Sequence, residues 1–142
     1  IHSPLEQPAQ HFAQQLKLSM LSGKADDVTR RSILQGLNDG KVSIAVSTTV
    51  IDEGIDIPAL RGLIMLFPGG SRVKLIQRIG RLVRRAPGKV SAYAFLFNYA
   101  VDDEWFSTVL SRQKVKRDKA LQEEKAWKIK DVSYKDVLTV LS

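Results

Sequence analysis

The 142-residue chain is long enough for one domain with a sizeable core, and 44% of its residues are hydrophobic while 26% are charged. It contains no cysteine, which excludes a disulfide framework and cysteine-based metal or redox chemistry. Its formal net charge is +7, and residues 57–100 include no Asp or Glu. This distribution predicts a polyanionic partner, either nucleic acid or nucleotide phosphate.

No apolar run approaches the length of a membrane span, and no signal peptide is visible. We therefore expect no membrane partner and a cytoplasmic or nuclear location. His2 and His11 lack acidic or cysteine partners at ligand spacing, so we expect no metal site. Because the chain begins at Ile1 rather than Met, we expect it to be a piece of something longer.

The first part of the chain alternates predicted strands and helices. In order these are the end of a strand at 1–4, a helix over about 6–16, a strand at 18–21, a helix from about 26 to 37 and a strand at 42–46. In the second helix, the residues predicted to face inward are Val28, Ile33, Leu34 and Leu37.

The order continues with a continuous apolar strand at 63–67, an arginine-rich helix that ends at 86–88, and a last strand at 93–97. Continuous apolar strands are typical of a parallel sheet that is buried on both faces. The alternation therefore predicts a doubly wound α/β sheet. In such sheets the carboxyl ends of the strands form the binding edge, so we expect the loops 47–54 and 68–72 to lie there.

The arginine-rich helix has two faces when its residues are placed at about 100° intervals. Gln77, Arg81 and Arg84 share one face, whereas Arg78 and Arg85 lie off it. The opposite, core-packed face carries Leu75, Ile76, Ile79, Leu82 and Val83. Clustered guanidinium groups suit phosphate oxygens, which they bind through bidentate hydrogen bonds. The alternative is a basic face that is only solvated.

The loop from 47 to 58 begins with three hydroxyl side chains, those of Ser47, Thr48 and Thr49. Hydroxyls and free amides at a helix start bind phosphate. Asp56, farther along the loop, is able to accept hydrogen bonds from a ribose or to fix an arginine. The alternative is an ordinary strand-to-helix connection.

Together the two segments resemble motif V (47–58) and motif VI (77–84) of superfamily 2 helicases. Gly23 followed by Arg30 and Arg31 is similar to a weaker motif of the same family. The wording Glu-Gly-Ile-Asp-Ile-Pro at 53–58 is most similar to the XPB-like and phage repair-helicase branch. The resemblance covers about residues 1–99.

The resemblance implies a second RecA-like motor domain, with ATP in a cleft between it and a first domain that holds Mg²⁺. It implies that Arg81 and Arg84 are catalytic arginine fingers. The residues that it places on the nucleotide side are Gly54, Asp56 and Gln77. The predicted nucleic-acid contacts are Ser47, Thr48, Thr49, Arg72, Arg78 and Arg85, with Asp52 or Glu53 as alternative partners for Arg78 and Arg85.

The sequence contains neither a Gly-x-x-x-x-Gly-Lys-Ser/Thr phosphate loop nor a box of the Asp-Glu-x-His or Asp-Glu-x-Asp type. We therefore expect the chain alone to be inactive and to need an N-terminal RecA-like domain in cis or in trans. Its nucleic acid is predicted to be DNA rather than RNA. The alternative function is a non-catalytic nucleic-acid-binding or regulatory module.

Residues 1–100 are predicted to form the RecA-like domain, and residues 101–142 a helical extension packed on or next to it. A long charged helix is expected over about 102–130, with Trp105 and Phe106 packed on the sheet. In the alternative, its cations follow a nucleic-acid backbone and Trp127 stacks on a base or contacts another domain. A terminal helix over about 132–141, capped by Ser133, completes the prediction.

Overall fold

The computed structural model describes residues 1–48, 56–66, 70–99, 101–133 and 135–136. Its elements in chain order are α1 (Glu6–Gln15), β1 (Ser19–Leu21), α2 (Asp27–Asn38), β2 (Ala45–Ser47), β3 (Gly62–Met65), α3 (Arg72–Leu82), β4 (Tyr93–Leu96) and α4 (Glu104–Gln122). Among these described elements, no helix is both long enough and apolar enough to cross a membrane.

Every strand pair in the described sheet is parallel. β1 pairs with β2, and β3 pairs with β4. His2 forms parallel bridges to both Ser47 and Met65, so the spatial order is β1, β2, segment 1–3, β3, β4. Because the chain leaves this central segment first toward one edge and later toward the other, the sheet is doubly wound, as predicted.

Two separate buried clusters lie against the sheet. One joins Ala9 and Ala13 of α1 to Val46 of β2. The other, the α3 cluster, joins β3, α3 and the end of α4, and consists of Leu63, Met65, Leu75, Ile79, Leu82 and Leu121. Leu75, Ile79 and Leu82 of the predicted apolar face therefore fix α3 to the sheet, whereas Val83, predicted on the same face, is the C-cap and is 44% exposed.

The prediction that Val28 faces inward is wrong, because this side chain is 77% exposed. Val28 lies in the first turn of α2, where its N–H donates to the Asp26 carboxylate at 3.0 Å. The same carboxylate accepts the Thr29 N–H at 2.8 Å. This N-cap orients the first turn of the helix, and the buried side of α2 starts farther along, at Ile33.

β2 begins at Ala45 rather than at the predicted Val42. Val42 instead lies over Gly36 of α2, where a Cβ would come within 2.6 Å of a Val42 methyl carbon. The close approach requires glycine at that position. Val42 therefore packs against the helix and is not part of the strand ladder.

The prediction that Trp105 and Phe106 pack on the sheet is wrong. They are 69% and 55% exposed, and their rings meet edge to face at 5.4 Å. The buried residues of α4 lie in its second half and are Arg117, Ala120 and Leu121. The helix ends at Gln122, well before residue 130, and Trp127 packs against the α3 cluster from the segment beyond.

The predicted terminal helix falls mostly outside the described residues. Within them, the Ser133 hydroxyl contacts the Asp136 carboxylate at 2.7 Å, and the same carboxylate accepts the Ser133 N–H at 2.9 Å. The Asp136 N–H in turn donates to the Ser133 hydroxyl oxygen at 3.4 Å, and this reciprocal contact is a helix-start signature of the capping-box type. The division of the chain at residue 100 stays a prediction.

Candidate functional site

An ion pair joins the two segments that carry the predicted motifs. The Arg84 Nη1 lies 2.7 Å from the Asp56 Oδ2. Both side chains are about half exposed, at 53% and 48%, so solvent screens the pair and a competing anion has access to the guanidinium. Of the two roles considered for Asp56, the structure shows the fixing of an arginine.

Arg84 lies outside α3, so the prediction that helical periodicity places it on the face of Gln77 and Arg81 is wrong. The helix ends at Leu82 with Val83 as its C-cap. Arg84 remains near Arg81 for another reason, because its N–H donates to the Arg81 carbonyl at 3.4 Å. A turn and an ion pair, rather than a helix face, therefore position Arg84.

Lys89 holds this turn in place. Its Nζ donates to the carbonyls of Leu82, Arg84 (2.9 Å) and Pro58 (3.1 Å). Burial lowers the pKa of Lys89, and the nearby charge of Arg61 lowers it further. Since carbonyls at a helix end carry partial negative charge, the ammonium both caps α3 and ties it to the segment that follows Asp56.

Sequence reasoning missed Lys89. The available signal was a lysine shortly after a helix stop, at Pro87-Gly88, which is typical of carbonyl capping. Gly88 has a φ of +71°, and its carbonyl accepts a hydrogen bond from Arg61 at 3.0 Å. This turn thereby brings Lys89 back to the end of α3.

The other residues predicted to contact nucleotide or its γ-phosphate are Gln77, Arg81 and Gly54. Gln77 is exposed on α3, and Arg81 is partly buried in the last turn of that helix. Gly54 lies outside the described residues. Of the residues predicted to contact nucleotide, the structure thus brings Asp56, Arg81 and Arg84 to the end of α3 that Lys89 caps.

Arg78 is buried, with 6% of its surface exposed, whereas Arg85 is exposed. The buried guanidinium of Arg78 thus offers little surface to a nucleic-acid strand. This favours the alternative role of Arg78, an ion pair with an internal carboxylate. Its predicted carboxylate partners, Asp52 and Glu53, lie outside the described residues.

The predicted nucleic-acid side lies at the other end of the strands. Ser47 and Thr48, at the carboxyl end of β2, are 2% and 6% exposed, and the Thr48 N–H donates to the Leu21 carbonyl at 3.0 Å. Thr49 lies outside the described residues. Arg72, at the start of α3, is exposed and forms an ion pair with Glu123 at the end of α4.

Ser47, Thr48 and Arg72 therefore lie near the carboxyl ends of the strands. Asp56, Arg81 and Arg84 lie near the amino ends. Ser47, Thr48 and the start of α3 lie where strands end, whereas Arg61 directly precedes β3 and bonds to Gly88. The 11 residues of α3 run from one end of the strands to the other, and the helix is about 16 Å long. Among the described residues, no group of three His, Cys, Asp or Glu side chains is arranged to hold a metal ion.

The doubly wound parallel sheet is the architecture of a RecA-like domain, and an ion pair links the segment after α3 to the segment before β3. The chain belongs to the family described as the helicase conserved C-terminal domain, which matches residues 3–86. Its relatives are consistent with membership of the XPB-like branch.

Two curated relatives illustrate the likeness. Putative helicase 22 of Sulfolobus islandicus filamentous virus is 41% identical over 73 residues, which cover 51% of this chain and 13% of that protein. The DNA 3'-5' translocase XPB2 of Sulfurisphaera tokodaii is 32% identical over 79 residues, covering 56% and 18%. The chain thus spans less than a fifth of the length of either relative.

A solved structure shows the same fold at low sequence identity. S. cerevisiae Dbp5 bound to RNA and ADP BeF3 matches with a TM-score of 0.62 and 22% identity, over 82% of this chain and 31% of that one. The S. cerevisiae Dbp5 C-terminal domain, bound to Gle1 and IP6, matches with a TM-score of 0.65 and 18% identity, over 98% and 78%. Both confirm the predicted RecA-like architecture.

Proposed function

We propose that this chain is the C-terminal motor domain of an ATP-dependent nucleic-acid helicase or translocase, and that it supplies Arg81 and Arg84 as arginine fingers. The observation that carries the proposal is the Arg84–Asp56 ion pair of 2.7 Å. It joins a carboxylate of the first motif to an arginine of the second at a half-exposed site, where an anionic ligand is able to reach the guanidinium.

In this proposal Asp56 holds Arg84 until nucleotide arrives. The γ-phosphate of ATP, bound to a partner RecA-like domain together with Mg²⁺, then replaces the carboxylate. Exchange at a half-exposed pair costs little, because such pairs contribute about 0–1 kcal/mol. The released Asp56 accepts a hydrogen bond from the ribose, and Gln77 and Gly54 complete the nucleotide side.

The fingers act by stabilising the negative charge that develops as the γ-phosphate is transferred. Lys89 contributes indirectly, because it fixes the carbonyl of Arg84 and so restricts where the guanidinium reaches. Lys89 is therefore a positioning residue. The chain supplies no phosphate loop of its own, so we propose that it is inactive until an N-terminal RecA-like domain is present in cis or in trans.

The nucleic-acid track is proposed to follow the edge where the strands end. The Thr48 hydroxyl contacts a backbone phosphate, with Ser47, Thr49 and Arg72 at the same end of the strands. Arg85 lies beyond the opposite end of α3 and contacts the nucleic acid separately in this proposal. DNA is the preferred partner, because residues 53–58 resemble the XPB-like branch and the relative XPB2 is described as a DNA translocase. An RNA-helicase relative from Methanocaldococcus jannaschii, 36% identical over 72 residues, makes RNA the alternative.

The test is reconstitution with an N-terminal RecA-like domain that carries a phosphate loop. ATP turnover should appear only in the mixture or fusion, and Arg84→Ala or Arg81→Ala should lower it on the order of 10³-fold. Arg84→Lys should rescue little, because an ammonium lacks the bidentate geometry. Lys41→Ala is the control, since Lys41 is exposed and outside the site.

Two results would contradict the proposal. Turnover that is unchanged in both arginine variants would exclude finger roles. Nucleic-acid binding without any reconstituted turnover would favour a non-catalytic binding module instead.

A separate comparison concerns Arg85→Ala, which should weaken nucleic-acid binding more than it lowers the basal ATP turnover of the reconstituted motor.

A further inference from the structure

α4 lies outside the residues that match the helicase family, which end at 86. Its sequence nevertheless places an aromatic ring and three cations along one line. At about 100° per residue, Trp105, Arg112, Lys116 and Lys119 fall within about 40° of Trp105 around the helix axis. We call these four residues the α4 stripe.

The α4 stripe faces solvent along its whole length. Trp105 is 69% exposed, and the three cations are all exposed. Trp105 and Arg112 line one surface pocket together with Glu104, Thr108 and Val109. The side chains of Trp105 and Arg112 thus border the same surface pocket at the start of the α4 stripe.

The other cations of α4 are already used within the protein. Arg117 is 5% exposed and donates to the Asn98 side-chain oxygen at 2.6 Å. Lys114 pairs with Asp118 at 2.6 Å. Among the described residues, in contrast, no carboxylate forms an ion pair with any of the three stripe cations.

We propose that the α4 stripe binds a single strand of nucleic acid, with one base stacked on Trp105 and the backbone phosphates along Arg112, Lys116 and Lys119. An exposed aromatic platform continued by a cationic track is the arrangement that single strands recognise without sequence preference. The axial distance from Trp105 to Arg112 is about 10 Å, and from Arg112 to Lys119 about 10 Å, enough for several nucleotides. A fully paired duplex offers this ring no unstacked base.

Binding to the α4 stripe is independent of the proposed motor function, since it needs neither ATP nor a second domain. Binding is therefore measured on the 142-residue chain without nucleotide, with a fluorescent twelve-residue oligothymidylate as the probe. A duplex of the same length tests the preference for single strands.

Tryptophan fluorescence reports directly on the stack. The chain has two tryptophans, and Trp127 is partly buried against the α3 cluster. In a Trp127→Phe variant, oligothymidylate should quench the emission of Trp105. Binding that leaves this emission unchanged would overturn the assignment of Trp105.

The charge contribution is tested with paired substitutions that remove equal charge. Arg112→Ala with Lys116→Ala should weaken binding about tenfold and reduce the salt dependence by about 1.4 in log–log slope. Lys17→Ala with Lys41→Ala removes the same charge from exposed positions elsewhere and should have a small effect. Trp105→Ala should weaken binding about tenfold with little change in slope.

Equal effects of the two charge pairs would overturn the proposal, because they would indicate binding through net charge alone. Tighter binding of the duplex than of the single strand would also overturn it. If binding is lost in Thr48→Ala but not in the stripe variants, the stripe is excluded while the proposed motor function is unaffected.

Discussion

α3 and α4 are both rich in Arg and Lys, but they use that charge in opposite ways. α3 is fixed to the sheet by Leu75, Ile79 and Leu82, and an acidic residue and a lysine hold the arginine just beyond its end. α4 buries residues only in its second half and leaves Trp105 and Phe106 in solvent. Charge composition alone therefore does not show which cations are positioned, because Arg84 is held by a turn, an ion pair and Lys89.

The largest expected effect contrasts the apolar residues of the two helices. Leu75→Ala should lower the free energy of unfolding by about 2–5 kcal/mol, because it opens a cavity at a residue that is 0% exposed. Phe106→Ala should change it by less than about 0.5 kcal/mol. Urea denaturation of both variants measures the difference, and similar losses would show that the start of α4 is packed in solution.

The next effect concerns the lysine that caps α3. Lys89→Met keeps the aliphatic stem but loses three hydrogen bonds to carbonyls, and should cost about 1–2 kcal/mol because part of the site is solvated. Amide hydrogen exchange around Arg84 should accelerate more than exchange within β4. Uniform acceleration across the chain would mean that Lys89 stabilises the whole domain instead.

A smaller effect is expected for the pair between Arg84 and Asp56. A double-mutant cycle with Asp56→Asn and Arg84→Ala should give a stability coupling below about 1 kcal/mol, because both side chains are half exposed. The same substitution of Arg84 should nevertheless abolish most turnover in the reconstituted motor. A large stability coupling would mean that the pair is structural rather than exchangeable.

The smallest effect lies on α4, at the Lys114–Asp118 pair. The hydrogen bond that Lys114 donates to the Asp118 carboxylate raises the pKa of Lys114, so the stabilisation is present below the ordinary pKa of 10.5 and is lost as the pH rises through the raised value. Asp118→Asn should therefore lower stability by about 0.3–0.5 kcal/mol at pH 8. Thermal melts at pH 8 and at increasing pH above 10.5 compare the variant with the parent, whose advantage should shrink as Lys114 loses its proton.

The contrast between the helices also shows how far sequence reasoning extends. The apolar face of α3 follows from local periodicity, and Leu75, Ile79 and Leu82 are buried as predicted. The position of Arg84 does not, because the helix stop depends on Lys89, which reaches back to Leu82 and Pro58 through the fold.

The aromatic residues of α4 illustrate a second limit. Trp105 and Phe106 are large aromatic residues of the kind that usually pack in a core. The sequence contains no signal that shows which half of a long helix packs on the rest of the domain. Docking is decided by contacts across the fold, where Leu121 joins the α3 cluster and Arg117 bonds to Asn98. Local pattern therefore predicted the helix but not its buried end.

The place of segment 1–3 in the sheet has a consequence for the order of folding. His2 bridges residues 47 and 65, which are distant in sequence, so closing the middle of the sheet requires long chain loops. During synthesis this segment precedes both of its neighbours, which emerge only after residues 47 and 65 have been added. Until then segment 1–3 is an unpaired strand, and the two halves of the sheet have no common centre.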